Sequence, residues 1–369
     1  MAKEIRTQAL DLLRFPLAVV IVSIHVLISI EGDILSLQQS VGGNFVLSEG
    51  LWLFVKAFLA RQSVPIYFFI SGFVFFIGLQ SWDKSRYTNK LKNRKNSLLV
   101  PYLLWNSLML VTTLLAMSLF PDAMTSQGGK FSVISLLSVY WQYDGILTGS
   151  VPSSYPIDYP LWFVRDLMIL VLLAPLIYKS IKKFGKAIVV LFTIAWVILK
   201  FVHIEIIPSI DGLVFFSFGA YMSISGKDMI VEFGKHKRLA AFTFLILGVV
   251  HMYVHFKGLT DLITIVKMPM IFAGLYFAYN VAAWLIISGK AKVNKFLSSS
   301  SFFIYVSHAL ICSKVLLACK KILSPSSDVM LVICYLLSIV LTVIILLLGF
   351  KLMSKFTPKL LSVLAGRKG

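Results

Sequence analysis

The sequence predicts an all-α integral membrane protein, a bundle of about ten transmembrane helices with both termini in the cytoplasm. Three observations carry that expectation. Of 369 residues, 58% are hydrophobic and 14% charged, with a mean hydropathy of +0.88; a soluble domain of this size needs far more polar surface. The apolar residues come in long blocks such as Leu98 to Phe120, Ala187 to Val202 and Val329 to Phe350. A helix of about 20 such residues spans a hydrocarbon layer about 30 Å thick. The third observation is an alternation of charge between successive connections. Lys84–Lys95, the stretches around Lys183, Lys237 and Lys292, and the tail 354–369 are basic, whereas the connections between them carry Glu31, Asp33, Glu49, Asp122, Asp144, Asp158, Glu205 and Asp211. The positive-inside rule places the basic set in the cytoplasm. The net charge of +19 then belongs beside anionic lipid headgroups, and no nucleic-acid partner is expected.

In order, the apolar segments lie at about 10–30, 51–79, 98–120, 161–178, 187–204, 211–225, 239–256, 262–286, 300–322 and 329–353. The first is longer than the apolar core of a signal peptide and contains Arg14 and His25, so it reads as a spanning helix. An even number returns both ends to one side. Lys320 and Lys321 fall at an external end and break the charge pattern. The sixth segment is short and holds Gly212 and Gly219. The longest connection, 121–160, lies outside, contains Pro121, Pro152, Pro156 and Pro160, and is placed to cover a site on the outer face. Residues 1–369 thus form a single membrane domain without a visible inverted repeat. Cys312, Cys319 and Cys334 lie in late apolar runs without C-x-x-C spacing, which supports neither a disulfide framework nor a metal site.

Ionisable groups inside spanning helices are costly and each needs a reason. In LDLLRFPLAVVIVSIH, Arg14 and His25 are eleven residues apart, which is about 20° from whole turns, so they share one helix face roughly 16 Å apart along the axis. Arg14 sits near the cytoplasmic end, suited to an anionic donor such as the phosphates of coenzyme A. His25 lies in the outer half, suited to general-base work on a hydroxyl. The bland alternative is that Arg14 snorkels to lipid phosphates and His25 bonds a neighbouring helix. Arg61, well inside the second segment, is expected to face a polar cavity, while Ser71 and Gly72 suit close helix packing. Arg165 and Asp166, in PLWFVRDLMIL, are adjacent and project about 100° apart, so they are expected to pair across helices and not with each other. Trp162 beside them suits an interfacial anchor. His308 is placed in the inner half of the ninth segment. His251 and His255 have i,i+4 spacing but no accompanying glutamate, and no metal is expected. His203 and His236 read as loop or interface residues.

Several of these segments together resemble the acyltransferase-3 family. LDLLRFPLAVVIVSIH, with Leu10 and Asp11 before it, resembles the family's R-x10-H opening; VPIYFFISGFVFF resembles its proline–aromatic–Ser-Gly-Phe segment. RKNSLLVPYLLW, with Arg94 and Pro101, PLWFVRDL and SFFIYVSH resemble three later signatures. The match spans residues 10 to about 310, and departs in having Leu13 and Phe15 where small residues are common around the arginine. The resemblance implies a multi-pass protein of a bacterial inner membrane that moves an acyl group, commonly acetyl from acetyl-coenzyme A, onto a carbohydrate or glycolipid acceptor. It implies His25 and Arg14 as catalytic residues. Arg61, Arg94, Arg165, Asp166, Asp11, Trp162 and His308 are candidates for binding donor or acceptor: Arg94 for donor phosphates, Arg61 or Arg165 for the developing oxyanion, and Asp11 or Asp166 to orient an arginine. A transporter or flippase of a lipid-linked saccharide or small solute is the competing reading, since intramembrane Arg and His serve substrate paths as well.

Overall fold

A computed structural model describes residues 2–79, 81–119, 133–142 and 155–366. Among these residues every regular element is helical. Helix α1 (Ala2–Val26) runs through one tight turn into α2 (Ile30–Val41). It begins well before Leu10, because AKEIRTQA is a good helix-forming stretch with Glu4 complementing the dipole in the first turn. Helix α3 (Val46–Leu53) joins α4 (Ala60–Phe76) through a wide π-helical turn at Phe54–Leu59. The basic α5 (Lys84–Arg94) likewise leads through Lys95–Leu99 into α6 (Val100–Leu119). After α7 (Val133–Ser138) come α8 (Trp162–Leu172) and α9 (Ala174–Phe184), bent by 62° where Pro175 follows the break. The chain continues with α10 (Lys186–Phe201), α11 (Ile210–Ile224), α12 (Met229–Gly234), α13 (Lys237–Phe256) and α14 (Thr260–Ile287). It ends with α15 (Lys295–Leu323), α16 (Asp328–Phe356) and α17 (Pro358–Leu364). Starts are capped by side chains that accept backbone N–H groups: Asp83 for α5, Ser209 for α11, Asn294 for α15 and Ser327 for α16.

The described residues of the ten apolar segments fall mostly in helix, some of them running across a turn between two helices, but a count of ten crossings is not established. Seven helices among the described residues are long and apolar enough to cross a membrane, or eight if the bent α8–α9 pair is one span. Helices α10 and α11 have 16 and 15 residues, short of the roughly 20 that a perpendicular crossing needs. Most of the expected external connection, including Pro121 and Pro152, lies outside the described residues.

Helix α1 packs against α4, α14, α15 and α16, while α13–α14 and α15–α16 form helical hairpins. The closest approach is between α4 and α11. A Cβ on Gly72 would lie 2.0 Å from the carbonyl oxygen of Phe216, and one on Gly219 would lie 2.1 Å from that of Phe69. Gly72 is therefore a packing residue, as the small-residue pattern implied. The charge-pattern exception is also accounted for: the Lys320 ammonium pairs with Asp33, and Asp33 accepts a 2.5 Å hydrogen bond from the Tyr335 hydroxyl. All three cysteines are free and buried.

Candidate active site

Helix α1 carries both Arg14 and His25. Arg14 opens onto a cavity of about 410 Å³ lined also by Tyr67, Arg94, Ser298, Phe163 and Tyr305. The Asp11 carboxylate pairs with Arg14 at 3.1 Å, one helical turn away. The Tyr67 hydroxyl donates a 2.5 Å hydrogen bond to the Arg14 carbonyl, tying α4 to α1 at that level. Arg94 reaches this cavity because the π-helical turn Lys95–Leu99 follows it, carrying the basic α5 into the apolar α6.

Further along α1, His25 is half-buried. Its ring centroid lies 4.9 Å from that of His308 and 5.6 Å from that of Tyr159. His308 is fully buried near the middle of the 29-residue α15. Helix α15 starts at Lys295, ahead of the apolar run itself, so His308 stands just before the helix midpoint. His308 Nδ1–H donates to the Tyr305 carbonyl at 2.7 Å. That bond leaves Nε2 as the lone-pair nitrogen, buried and without a hydrogen-bond partner among the described residues. The Tyr305 ring is 6.2 Å from His308, and its hydroxyl donates to the Pro160 carbonyl. Tyr305 packs edge-on against Phe163 at 5.7 Å. Phe163 and Tyr305 form part of the wall of the Arg14 cavity, and Trp162, next to Phe163 in the chain, lines a different one.

A second cavity, of about 420 Å³, is lined by Arg61, Tyr155, Tyr159, Trp162, Arg165 and Asp166, and by Lys200, Glu205, Asp211 and Lys267. Arg61 faces this polar cavity, and its Nε is buried without a hydrogen-bond partner among the described residues. Arg165 and Asp166 behave differently from expectation. They pair with each other at 3.0 Å, both almost fully buried. The long guanidinium arm folds back over the start of α8, which the 100° projection of the Cβ atoms does not prevent. Each also reaches beyond its helix. Arg165 Nη1 donates to the Trp141 carbonyl at 2.8 Å, and Asp166 Oδ2 accepts the Ser209 N–H at 2.7 Å. The pair thus fastens residues 139–142 of the long connection and the start of α11 over this cavity. Trp162 lines the cavity wall and contacts Tyr155 edge-on at 6.1 Å, a role beyond that of an interfacial anchor.

Asp158 immediately precedes Tyr159 of the second cavity. Its N–H donates to Asn106 Oδ1 at 3.1 Å, but neither carboxylate oxygen has a hydrogen-bond partner among the described residues, and the residue is 1% exposed. Burial pushes its pKa up from 3.8 to about 7. The folded protein therefore binds this proton more tightly than the unfolded chain does, and the contribution is largest below about pH 4 and lost as pH rises through 7. At one pKa unit per 1.36 kcal/mol the swing is roughly 4 kcal/mol. Thermal unfolding in nanodiscs between pH 4 and pH 8 should show stability falling with pH, and Asp158→Asn should flatten that slope; an unchanged slope in the variant would assign the titration elsewhere.

No group of three potential metal ligands occurs among the described residues. His251 and His255 contact each other at 4.8 Å, and His251 Nδ1 lies 2.6 Å from the Ala57 carbonyl. Tyr67, Tyr159, Lys200, Asp211, Lys267 and Tyr305 line the site without having been singled out in the sequence. Lys267 carried a signal, as a cation inside the apolar run 262–286, and Tyr67 and Tyr305 fall inside the VPIYFFISGFVFF and SFFIYVSH segments; Tyr159 carried none.

No solved structure matches this chain. A succinoglycan biosynthesis protein, ExoH, of Rhizobium meliloti (strain 1021) is 27% identical over 188 residues, covering 51% of this chain and 47% of that protein. The chain thus spans about half the length of that relative. The family model described as an acyltransferase domain matches residues 7–350, which takes in the second cavity, the His25–His308 pair and all of the first cavity's lining except Ala365 and Gly366. On that near-complete match the chain belongs to the acyltransferase-3 family.

Proposed function

We propose that this protein is a membrane-bound O-acyltransferase of the bacterial inner membrane, moving an acyl group, acetyl first among them, from cytoplasmic acyl-coenzyme A to a hydroxyl of a cell-surface carbohydrate or its lipid-linked precursor. The observation that carries this reading is that His25 contacts His308 and also Tyr159, which lines the cavity of aromatic and charged groups, while the same helix α1 carries Arg14 to the cavity that Arg94 also lines. The relative involved in succinoglycan biosynthesis supports a polysaccharide acceptor. By the positive-inside rule the Arg14 cavity faces the cytoplasm.

In this mechanism Arg14, oriented by Asp11, and Arg94 hold donor phosphates, and the acyl-bearing arm reaches toward His25. His25 removes the proton from an acceptor hydroxyl, whose oxygen then attacks the thioester carbonyl carbon. The new C–O bond forms, the tetrahedral intermediate collapses with cleavage of the C–S bond, and the proton held by His25 passes to the departing thiolate. His308 Nε2, with its lone pair available, steadies the imidazolium formed on His25. Arg61 stabilises the oxyanion, since Arg165 is already neutralised by Asp166.

The test uses purified protein in nanodiscs with labelled acetyl-coenzyme A. Saturable binding and slow thioester hydrolysis are expected in the wild type. Arg14→Ala should weaken donor binding about tenfold, the scale of one charge-assisted contact. Absence of acyl-coenzyme A binding by folded wild-type protein would move the assignment to a transporter of lipid-linked saccharides.

A further inference from the structure

The second cavity contains one positive charge that acyl transfer does not use. Of its four cations, Arg165 is neutralised by Asp166 and Lys200 by Asp211, each at 3.0 Å. Arg61 is assigned to the oxyanion. Lys267 remains. It is half-buried in an apolar helix and makes no ion pair within 4.0 Å among the described residues. Asp211 shares the cavity and attracts Lys267 through space, but its direct partners are Lys200 at 3.0 Å and Trp196 Nε1 at 3.2 Å. The remaining acid, Glu205, is exposed. An ammonium kept in such a place costs free energy that a bound anion recovers.

The wall beside it fits a sugar ring. Tyr155 and Tyr159 lie 4.5 Å apart, Trp162 meets Tyr155 at 6.1 Å, and Tyr159 continues to His25 at 5.6 Å. Flat faces of this kind accept the apolar face of a pyranose while leaving its hydroxyls for polar groups. A saccharide lying along Tyr155 and Tyr159 has one end at His25 and the other among the cations. From this arrangement we infer that the acceptor is an acidic saccharide, whose carboxylate or phosphate is held by Lys267 while a ring hydroxyl is presented to His25. The inference deepens the acyltransferase reading and rests on it.

Binding to wild-type protein in nanodiscs can be titrated with three probes: a neutral cello-oligosaccharide, an oligosaccharide of equal length ending in glucuronate, and glucose 1-phosphate. At least one acidic probe should bind about tenfold more tightly than the neutral one, the scale of one charge-assisted contact. The comparison between glucuronate and phosphate then distinguishes the two sources of charge. The acidic advantage should vanish in Lys267→Gln, return in Lys267→Arg and shrink at high salt. Equal affinity for neutral and acidic probes, or an advantage that survives in Lys267→Gln, overturns the proposal. So does a Lys267→Gln effect confined to succinyl-coenzyme A over acetyl-coenzyme A, which would assign the charge to the acyl group. Failure of the wild type to bind any acyl-coenzyme A, with acidic-probe binding intact, would sink the transferase reading and leave this site standing.

Discussion

Replacement of His25 by alanine should reduce acyl transfer by roughly 10²- to 10⁴-fold, the range a positioned general base contributes. Donor binding should persist, because Arg14 and Arg94 line a cavity to which His25 does not contribute. The fold should persist as well. His25 is only half-buried, it lies at the end of α1, and alanine favours the helix. The informative measurement is single-turnover transfer from labelled acetyl-coenzyme A alongside equilibrium donor binding. Loss of turnover with unchanged binding assigns His25 to the chemical step. Full turnover in the variant would remove it from the mechanism and leave His308 as the candidate base. His308→Ala offers a second readout: if His308 acts through His25, it should lower kcat and shift the pH profile of transfer while leaving donor affinity unchanged.

The other large effect concerns stability. Gly72→Ala and Gly219→Ala each place a methyl carbon 2.0–2.1 Å from a backbone oxygen of the facing helix, Phe216 in one case and Phe69 in the other. Backbone atoms cannot rotate aside as the end of a side chain can. Helices α4 and α11 must therefore separate by more than an ångström, opening the aromatic packing of Phe69, Phe73 and Phe218 between them. A cost of about 3 kcal/mol or more is expected, at or beyond the usual range for overpacking. Gly349→Ala is the matched control, since nothing lies within 4 Å of its added carbon. There the substitution should be neutral or stabilising by up to about 1 kcal/mol, through helix propensity alone. Melting temperatures and yields of monodisperse protein in detergent would separate the three; equal behaviour of Gly219→Ala and Gly349→Ala would disprove the close contact.

These contrasts explain what could be read in advance. Run length and charge alternation located the helices because a bilayer imposes both on any chain that crosses it. The polar extensions escaped that reading: the basic α5 and the start of α1 are helical without being apolar. Short α10 and α11 read as spans because hydropathy sees composition more clearly than length. Arg14 and His25 were related by local geometry, which a single helix fixes. The His25–His308 contact joins residues on α1 and α15, and nothing in a single sequence specifies that pairing. Arg165–Asp166 failed for a different reason. The projection of Cβ atoms describes where side chains start, while a long guanidinium arm ends wherever its partners are.

The aromatic wall of Phe163 and Tyr305, with Tyr67 beside it at 6.0 and 6.4 Å, has a bearing on cell energetics. A membrane protein with two charged cavities is a potential short circuit for the proton-motive force. Rings in contact such as these narrow the room for a file of water along which protons could hop, which favours electrical insulation. Any motion that lets an acyl group past these rings has to be brief, or be sealed by the acyl chain itself, for the cell to tolerate many copies of the protein.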